Sequence, residues 1–302
     1  MVRKIQKVWK SKPTIEGAGV HLKRAFGYYQ VPELDPFLLL DDFYSKNPDH
    51  YLAGFPWHPH RGIETITYVL QGTVEHGDSM GNSGIISPGD VQWMTAGSGI
   101  IHQEMPKGSR DKILQGFQLW ANLPAKHKMM DPRYRGITHN EIPEKHLASG
   151  AEVKVICGTI DGVTGPVHDI VAEPQYFDVT MPAGATFIHP VPPGHAVFAY
   201  VIAGSAYFDN ERNPFSHEAI GDNYFDIKRD CRFGAESLVL YERNGEEVEV
   251  KTEQSSVRFL LVSGRPIGEP VAWYGPIVMN TQEELRVAFD EFEKGTFIKY
   301  RG

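Results

Sequence analysis

Apolar positions along this chain recur mostly in short runs with the spacing of β-strands. Residues 63–70, 91–94, 116–120, 153–156, 176–180, 196–202, 237–241 and 257–262 are rich in β-branched and aromatic side chains, and turn formers separate them. The punctuation comes from 30 glycines and 21 prolines. Strands this short and closely spaced predict an all-β chain built as sandwiches or small barrels. One segment departs from this pattern. Thr281-Gln282-Glu283-Glu284 reads as a helix capping box, Leu285, Ala288, Phe289 and Phe292 follow at helical spacing, and Gly295 can end the helix.

At 302 residues the chain exceeds the usual size of one domain, so two domains are expected. The polar stretch between about Lys126 and Gly150, with Pro132 and Pro143, is the natural boundary. This gives a first domain over residues 1–140 and a second over 141–302. A faint repeat supports the division. The apolar run 63–70 ends at Gly72 and follows Pro56-Trp57-His58-Pro59-His60, while the run 196–202 ends at Gly204 and follows Pro192-Pro193-Gly194-His195. Only the first copy keeps more than one histidine, so the second domain is expected to lack a metal site.

Two cysteines, Cys157 and Cys231, lie far apart without C-x-x-C spacing, which argues against a disulfide framework or a zinc ribbon. A cytoplasmic protein is expected, with no membrane span, because the longest apolar runs are strand-sized. The net charge of −8 disfavours direct nucleic-acid binding. The charge is nevertheless uneven: Arg3, Lys4, Lys7, Lys10, Lys12, Lys23 and Arg24 face only Glu16 in the first 26 residues. That stretch reads as a solvated edge strand whose lysines deter edge pairing, or as a docking surface, residues 3–24, for an acidic protein partner.

The chemistry concentrates in two short motifs. His58 and His60 are one residue apart, as are His102 and Glu104. Side chains alternate faces along a strand, so each pair points both members the same way, and two such pairs from separate strands can converge on one ion. Three imidazoles and a carboxylate suit Fe(II), Mn(II), Ni(II), Cu(II) or Zn(II); calcium and magnesium prefer mostly oxygen donors. The lack of cysteine ligands argues against a closed structural zinc site. Four protein ligands on a six-coordinate ion leave two positions for water, substrate or dioxygen. Nearby, Pro88-Gly89-Asp90 and Ala96-Gly97-Ser98-Gly99 supply bends that can aim the following strands inward. Phe55, Trp57, Trp93, Met94, Phe117 and Trp120 either line an aromatic cavity or form the core, and Gln115 and Gln118 either face a pocket or serve sheet edges. His76, in a turn-rich segment, is expected to be exposed or to stabilise a turn.

The stretches His58-Pro59-His60-Arg61-Gly62-Ile63-Glu64-Thr65, Pro88 to Gly97, and Gly99-Ile100-Ile101-His102-Gln103-Glu104-Met105-Pro106 resemble the signature of the pirin family. The resemblance extends to Leu34-Asp35-Pro36-Phe37-Leu38-Leu39, Gln118 to Leu123, Glu269-Pro270 and Gly275 to Thr281, and so spans nearly the whole chain. It implies a bicupin, two β-barrel domains of the double-stranded β-helix or jelly-roll type with a short C-terminal helix. One iron would sit in the first barrel on the positions of His58, His60, His102 and Glu104. The general cupin motif would make a glutamate near Glu64 a ligand. Here the following glycine is displaced, and Glu64 is read as structural or as a support to the ligands.

The implied activity is that of a quercetin dioxygenase, an oxidoreductase acting on an aromatic small-molecule substrate and dioxygen. Glu104 would serve as catalytic base for the flavonol 3-hydroxyl, and ring opening would release carbon monoxide. Two other classes stay open: a redox-sensitive regulatory binding protein of the transcriptional co-regulator type, and a metal-dependent isomerase or hydrolase, since fold does not fix function.

Overall fold

The computed structural model describes residues 1–220 and 230–300. It is mostly β and divides into two compact units. One comprises Lys12–Glu141 and Ile267–Gly302, the other Met1–Ser11 and Ile142–Pro266. Mid-chain the change of unit falls between Glu141 and Ile142, and each terminal segment belongs to the unit of the other half of the chain.

Side-chain chemistry accounts for both exchanges. At the N-terminus, Ile5–Lys10 pairs antiparallel with Ser237–Tyr241 and buries Ile5, Val8 and Trp9. Arg3 is fully buried there, and its guanidinium donates to the carbonyls of Pro192 (2.8 Å), His195 (2.7 Å), Glu242 (3.3 Å) and Gly245 (3.2 Å). The basic stretch 3–24 is thus divided at Ser11/Lys12 between two units, and one of its charges is enclosed. Only Lys12–Glu16 lies at a sheet edge.

At the C-terminus, Ala272–Tyr274 and Ile277–Met279 form a hairpin, and Gln282–Glu293 forms the expected helix. Thr281 Oγ1 accepts from the Glu284 amide, and the Glu284 carboxylate accepts from the Thr281 amide. Leu285 and Ala288 are buried, while Phe292 at the end of the stripe is 39% exposed. Arg61, itself buried, holds this segment to the barrel. Its guanidinium donates to Glu291 Oε2 (2.7 Å), Phe297 O (2.8 Å) and Ser98 O (2.7 Å), and it stacks over the Phe297 ring. The buried Lys128 ammonium bonds Gly62 O, Asn122 Oδ1 and Val278 O at 2.7–3.0 Å. Replacing Arg61 by Met is expected to destabilise the protein by about 2–4 kcal/mol, because the carbonyls of Ser98 and Phe297 lose their donor and Glu291 keeps only Lys299. Urea unfolding checks this, and an unchanged midpoint would refute the clamp.

The unit that contains the metal-ligand motifs has a seven-stranded and a four-stranded sheet. The first runs in the order Arg133–Ile137, Val91–Thr95, Ile63–Gln71, Gln115–Asn122, Phe37–Asp42, Val20–Phe26, Lys12–Glu16. The second runs Phe55–His60, Ile100–Lys107, Thr73–Asp78, Ser83–Ile86. Apolar side chains from both sheets meet, with Val20, Leu22, Phe43 and Val69 from or beside the first packed against Val74 and Ile86 of the second. Among the described residues, the other unit is built on an eleven-stranded sheet over an apolar cluster that includes Phe177, Phe187, Val239 and Phe259.

Candidate metal centre

Phe55–His60 and Ile100–Lys107 are hydrogen-bonded neighbours, with His102 directly opposite His58 and Ile100 opposite His60. Between His102 and Glu104 the register shifts by one extra residue on the first strand, a bulge that changes what faces the cavity. Strand alternation brings His58, His60 and His102 together, and their ligand atoms all lie within 4.8 Å of one another. His58 Nε2 is 3.1 Å from His60 Nε2 and 2.9 Å from His102 Nε2.

The hydrogen bonds at the far sides of the rings decide what these nitrogens are. His58 Nδ1 lies 2.9 Å from Pro56 O and His60 Nδ1 lies 3.0 Å from Pro276 O. A carbonyl can only accept, so both Nδ1 atoms carry the proton and both Nε2 atoms present lone pairs. Burial lowers the pKa of all three imidazoles, and for His60 and His102 the neighbouring histidines lower it further, so they are neutral at pH 7. Bare lone pairs about 3 Å apart repel unless a cation lies between them. Nitrogens bound at about 2.0–2.1 Å and at right angles around one ion stand about 3 Å apart. The donor set therefore fits a divalent transition metal.

Glu104 is not drawn into the histidine group. Its carboxylate, buried on the same cavity wall, accepts a hydrogen bond from Thr67 Oγ1 at 2.8 Å. Burial pushes its pKa up to about 7, with the Thr67 bond pulling the other way. The Gln118 amide lies 2.8 Å from the same hydroxyl. Thr67 has one proton to give, and the Glu104 Oε1 and Gln118 Oε1 acceptors share it. Glu64 is a structural residue, with Trp93 Nε1 and Thr95 Oγ1 each donating to it at 2.9 Å.

His58, His60, Thr67, Glu104 and Gln118 line a cavity of about 680 Å³ between the two sheets, which is the size range of small-molecule sites. Of the aromatic candidates, Phe55 and Trp120 line it. Trp93, Met94 and Phe117 are core, and Trp57 is 55% exposed. Trp120 meets the edge of His60 at 5.1 Å and Trp273 at 5.9 Å, and Trp273 continues to Tyr28 at 5.8 Å.

His76 corrects the sequence reading: it is buried in Thr73–Asp78, stacked on Tyr134 at 4.8 Å, with its ring 6.3 Å from that of His102. Its strand carries too few apolar residues to show alternation, and pairing with Ile100–Lys107 turns Val74, His76 and Asp78 inward. Thr67, Gln118, Arg24 and Asp41 also line the cavity. Only Gln118 was singled out for such a role from sequence, because isolated polar residues in a strand carry no spacing signal.

The pirin profile matches residues 19–121, and the profile of the pirin C-terminal cupin domain matches residues 176–298. The chain belongs to the pirin family. It is 41% identical to a pirin-like protein of Caulobacter vibrioides over 98% of this chain and 99% of that one. Its similarity to pirin-like protein 2 of Arabidopsis thaliana is 40% over 96% and 84% of the two chains. Among solved structures, a quercetin 2,3-dioxygenase from Acinetobacter baumannii superposes with a TM-score of 0.84 at 30% identity, covering 98% of this chain and 99% of that one. Membership of the family carries the bicupin fold with it. No helix among the described residues is long and apolar enough to cross a membrane.

Proposed function

We propose that this pirin is a metal-dependent flavonol dioxygenase, holding one Fe(II) on His58, His60 and His102 with Glu104 as a further ligand or base. The observation that carries the reading is the pair of bare Nε2 atoms of His58 and His60 in the wall of an aromatic-lined cavity, with His102 Nε2 2.9 Å from that of His58 and a carboxyl whose pKa burial raises to about 7 beside them. Similarity to a protein named quercetin 2,3-dioxygenase supports it. When bound, the metal supplies Lewis-acid polarisation of a substrate oxygen and access to dioxygen.

The chain's own residues do the rest. Pro56 O and Pro276 O fix the tautomer and orientation of His58 and His60. Glu104 takes the proton of the flavonol 3-hydroxyl, and Thr67 holds the accepting carboxylate in place. Trp120 and Phe55 pack the flat rings and keep water out. The flavonol and one dioxygen become a depside and one carbon monoxide, so every atom is accounted for.

Anaerobic loading with Fe(II), followed by quercetin and air, is expected to consume oxygen and release carbon monoxide in equal amounts. Metal-loaded protein that binds quercetin but does neither would leave the reading without support.

A further inference from the structure

Four aromatic side chains run in a line from the histidines to the surface. The Trp120 ring meets the edge of His60 at 5.1 Å, Trp273 lies 5.9 Å from Trp120, Tyr28 lies 5.8 Å from Trp273, and Tyr29 stands edge-on to Tyr28 at 5.7 Å. They come from three separate elements: the strand Gln115–Asn122, the hairpin strand Ala272–Tyr274 and the short helical turn Tyr28–Gln30. Exposure rises along the line. Trp120 and Trp273 are half-buried, Tyr28 is 58% exposed and Tyr29 is 88% exposed. Folding gains little from tyrosine rings that stay mostly in water. Tyr28 reaches the cavity but Tyr29 lies outside its lining, so contact with a ligand there does not account for Tyr29.

Indole and phenol are among the side chains that most readily give up one electron. Transfer between them falls off steeply with distance, so steps between rings in contact are fast. The order of the rings sets a direction. Trp273 Nε1 donates to Gly275 O at 2.7 Å, and a carbonyl accepts a hydrogen bond without taking the proton. An oxidised Trp273 therefore keeps its positive charge and stays a strong oxidant. An oxidised phenol is a strong acid, and at Tyr28 and Tyr29 bulk water is at hand to take its proton. The missing electron thus moves outward and settles on the tyrosines.

We propose that Trp120, Trp273, Tyr28 and Tyr29 form a relay that moves an oxidising equivalent from the metal to the surface, protecting the histidine ligands when a peroxide reaches the iron with no substrate bound. The inference rests on a redox-active ion at the histidines and needs no flavonol. The electrons balance. Peroxide takes one electron from Fe(II) and one from a tyrosine, leaving Fe(III), a neutral tyrosyl radical, hydroxide and, with the phenolic proton, water. A hydrogen-atom donor of the ascorbate class then restores the phenol at the surface.

The test treats the Fe(II)-loaded full chain with stoichiometric hydrogen peroxide and no flavonol, with electron paramagnetic resonance on freeze-quenched samples and mass spectrometry of digests as readouts. Wild type is expected to show a tyrosyl signal beside the ferric one, and Tyr28 and Tyr29 to be modified at least about tenfold more than Trp57, which is also exposed but outside the line. Trp273→Phe keeps an apolar ring in place but interrupts the relay. Tyrosine modification per bound iron is expected to fall about tenfold in it, and damage to shift to Trp120 and the histidines. In Tyr28→Phe/Tyr29→Phe, two exposed positions, the tyrosyl signal is expected to vanish while the ferric one remains. Ascorbate added with the peroxide is expected to spare the tyrosines. Equal tyrosine modification per iron in wild type and Trp273→Phe, equal modification of Trp57, or a ferric signal with no tyrosyl radical overturns the relay and leaves the metal site standing. Protein that retains no iron overturns both.

Discussion

A His60→Ala protein is expected to lose metal retention altogether and, with it, at least about a thousandfold in turnover of flavonol. His60 is both buried and oriented by a backbone carbonyl. It is 2% exposed, its Nδ1 proton is fixed on Pro276 O, and its Nε2 is 3.1 Å from that of His58. Removing it leaves two nitrogen donors where three converge, and two neutral donors do not hold a divalent ion against water. Metal content after desalting of Fe(II)- or Ni(II)-loaded protein, read beside circular dichroism to confirm folding, checks the result. A folded variant that keeps stoichiometric metal would remove His60 from the ligand set.

Glu104→Gln is expected to lower kcat about 10²- to 10⁴-fold, the usual contribution of a positioned base, while the histidines retain metal. The substitution preserves shape, and its amide oxygen can still accept the Thr67 hydrogen bond, so the loss isolates the carboxylate. The pH profile gives the sign. A base must be deprotonated to act, and burial sets the Glu104 pKa at about 7. A bound dication pulls a neighbouring carboxyl down, so activity of the metal-loaded wild type is expected to be level at neutral pH and to fall along one acid limb below pH 7. In the variant that limb should vanish. If Glu104 is instead an indispensable ligand, metal content falls together with activity, and the two measurements separate the roles.

Much of the site was legible because strand alternation is a short-range rule. H-x-H and H-x-E each place two side chains on one face whatever the rest of the chain does, and the strands around them carried clear β-branched runs. The capping box at Thr281 and the role of Glu64 were legible for similar local reasons. His76 was not, since its inward direction comes from pairing with another strand rather than from its own neighbours. The two chain ends escaped for the same reason. Nothing near Arg3 indicates that its partners are carbonyls in the second half of the chain, and nothing near Pro276 indicates that its oxygen orients His60.

By itself the sequence determined the β class, the family signature, the three histidines and their suitability for a transition metal, because these follow from residue type and from the two-residue period of a strand. Tertiary structure alone decided that Glu104 bonds Thr67 outside the histidine group, that the C-terminal segment supplies the Pro276 carbonyl, and that Arg24, Asp41, Gln118 and Thr67 align in one row. Each of these depends on register between strands distant in sequence. Register is set by the collective burial of both sheets, which no single stretch of residues encodes.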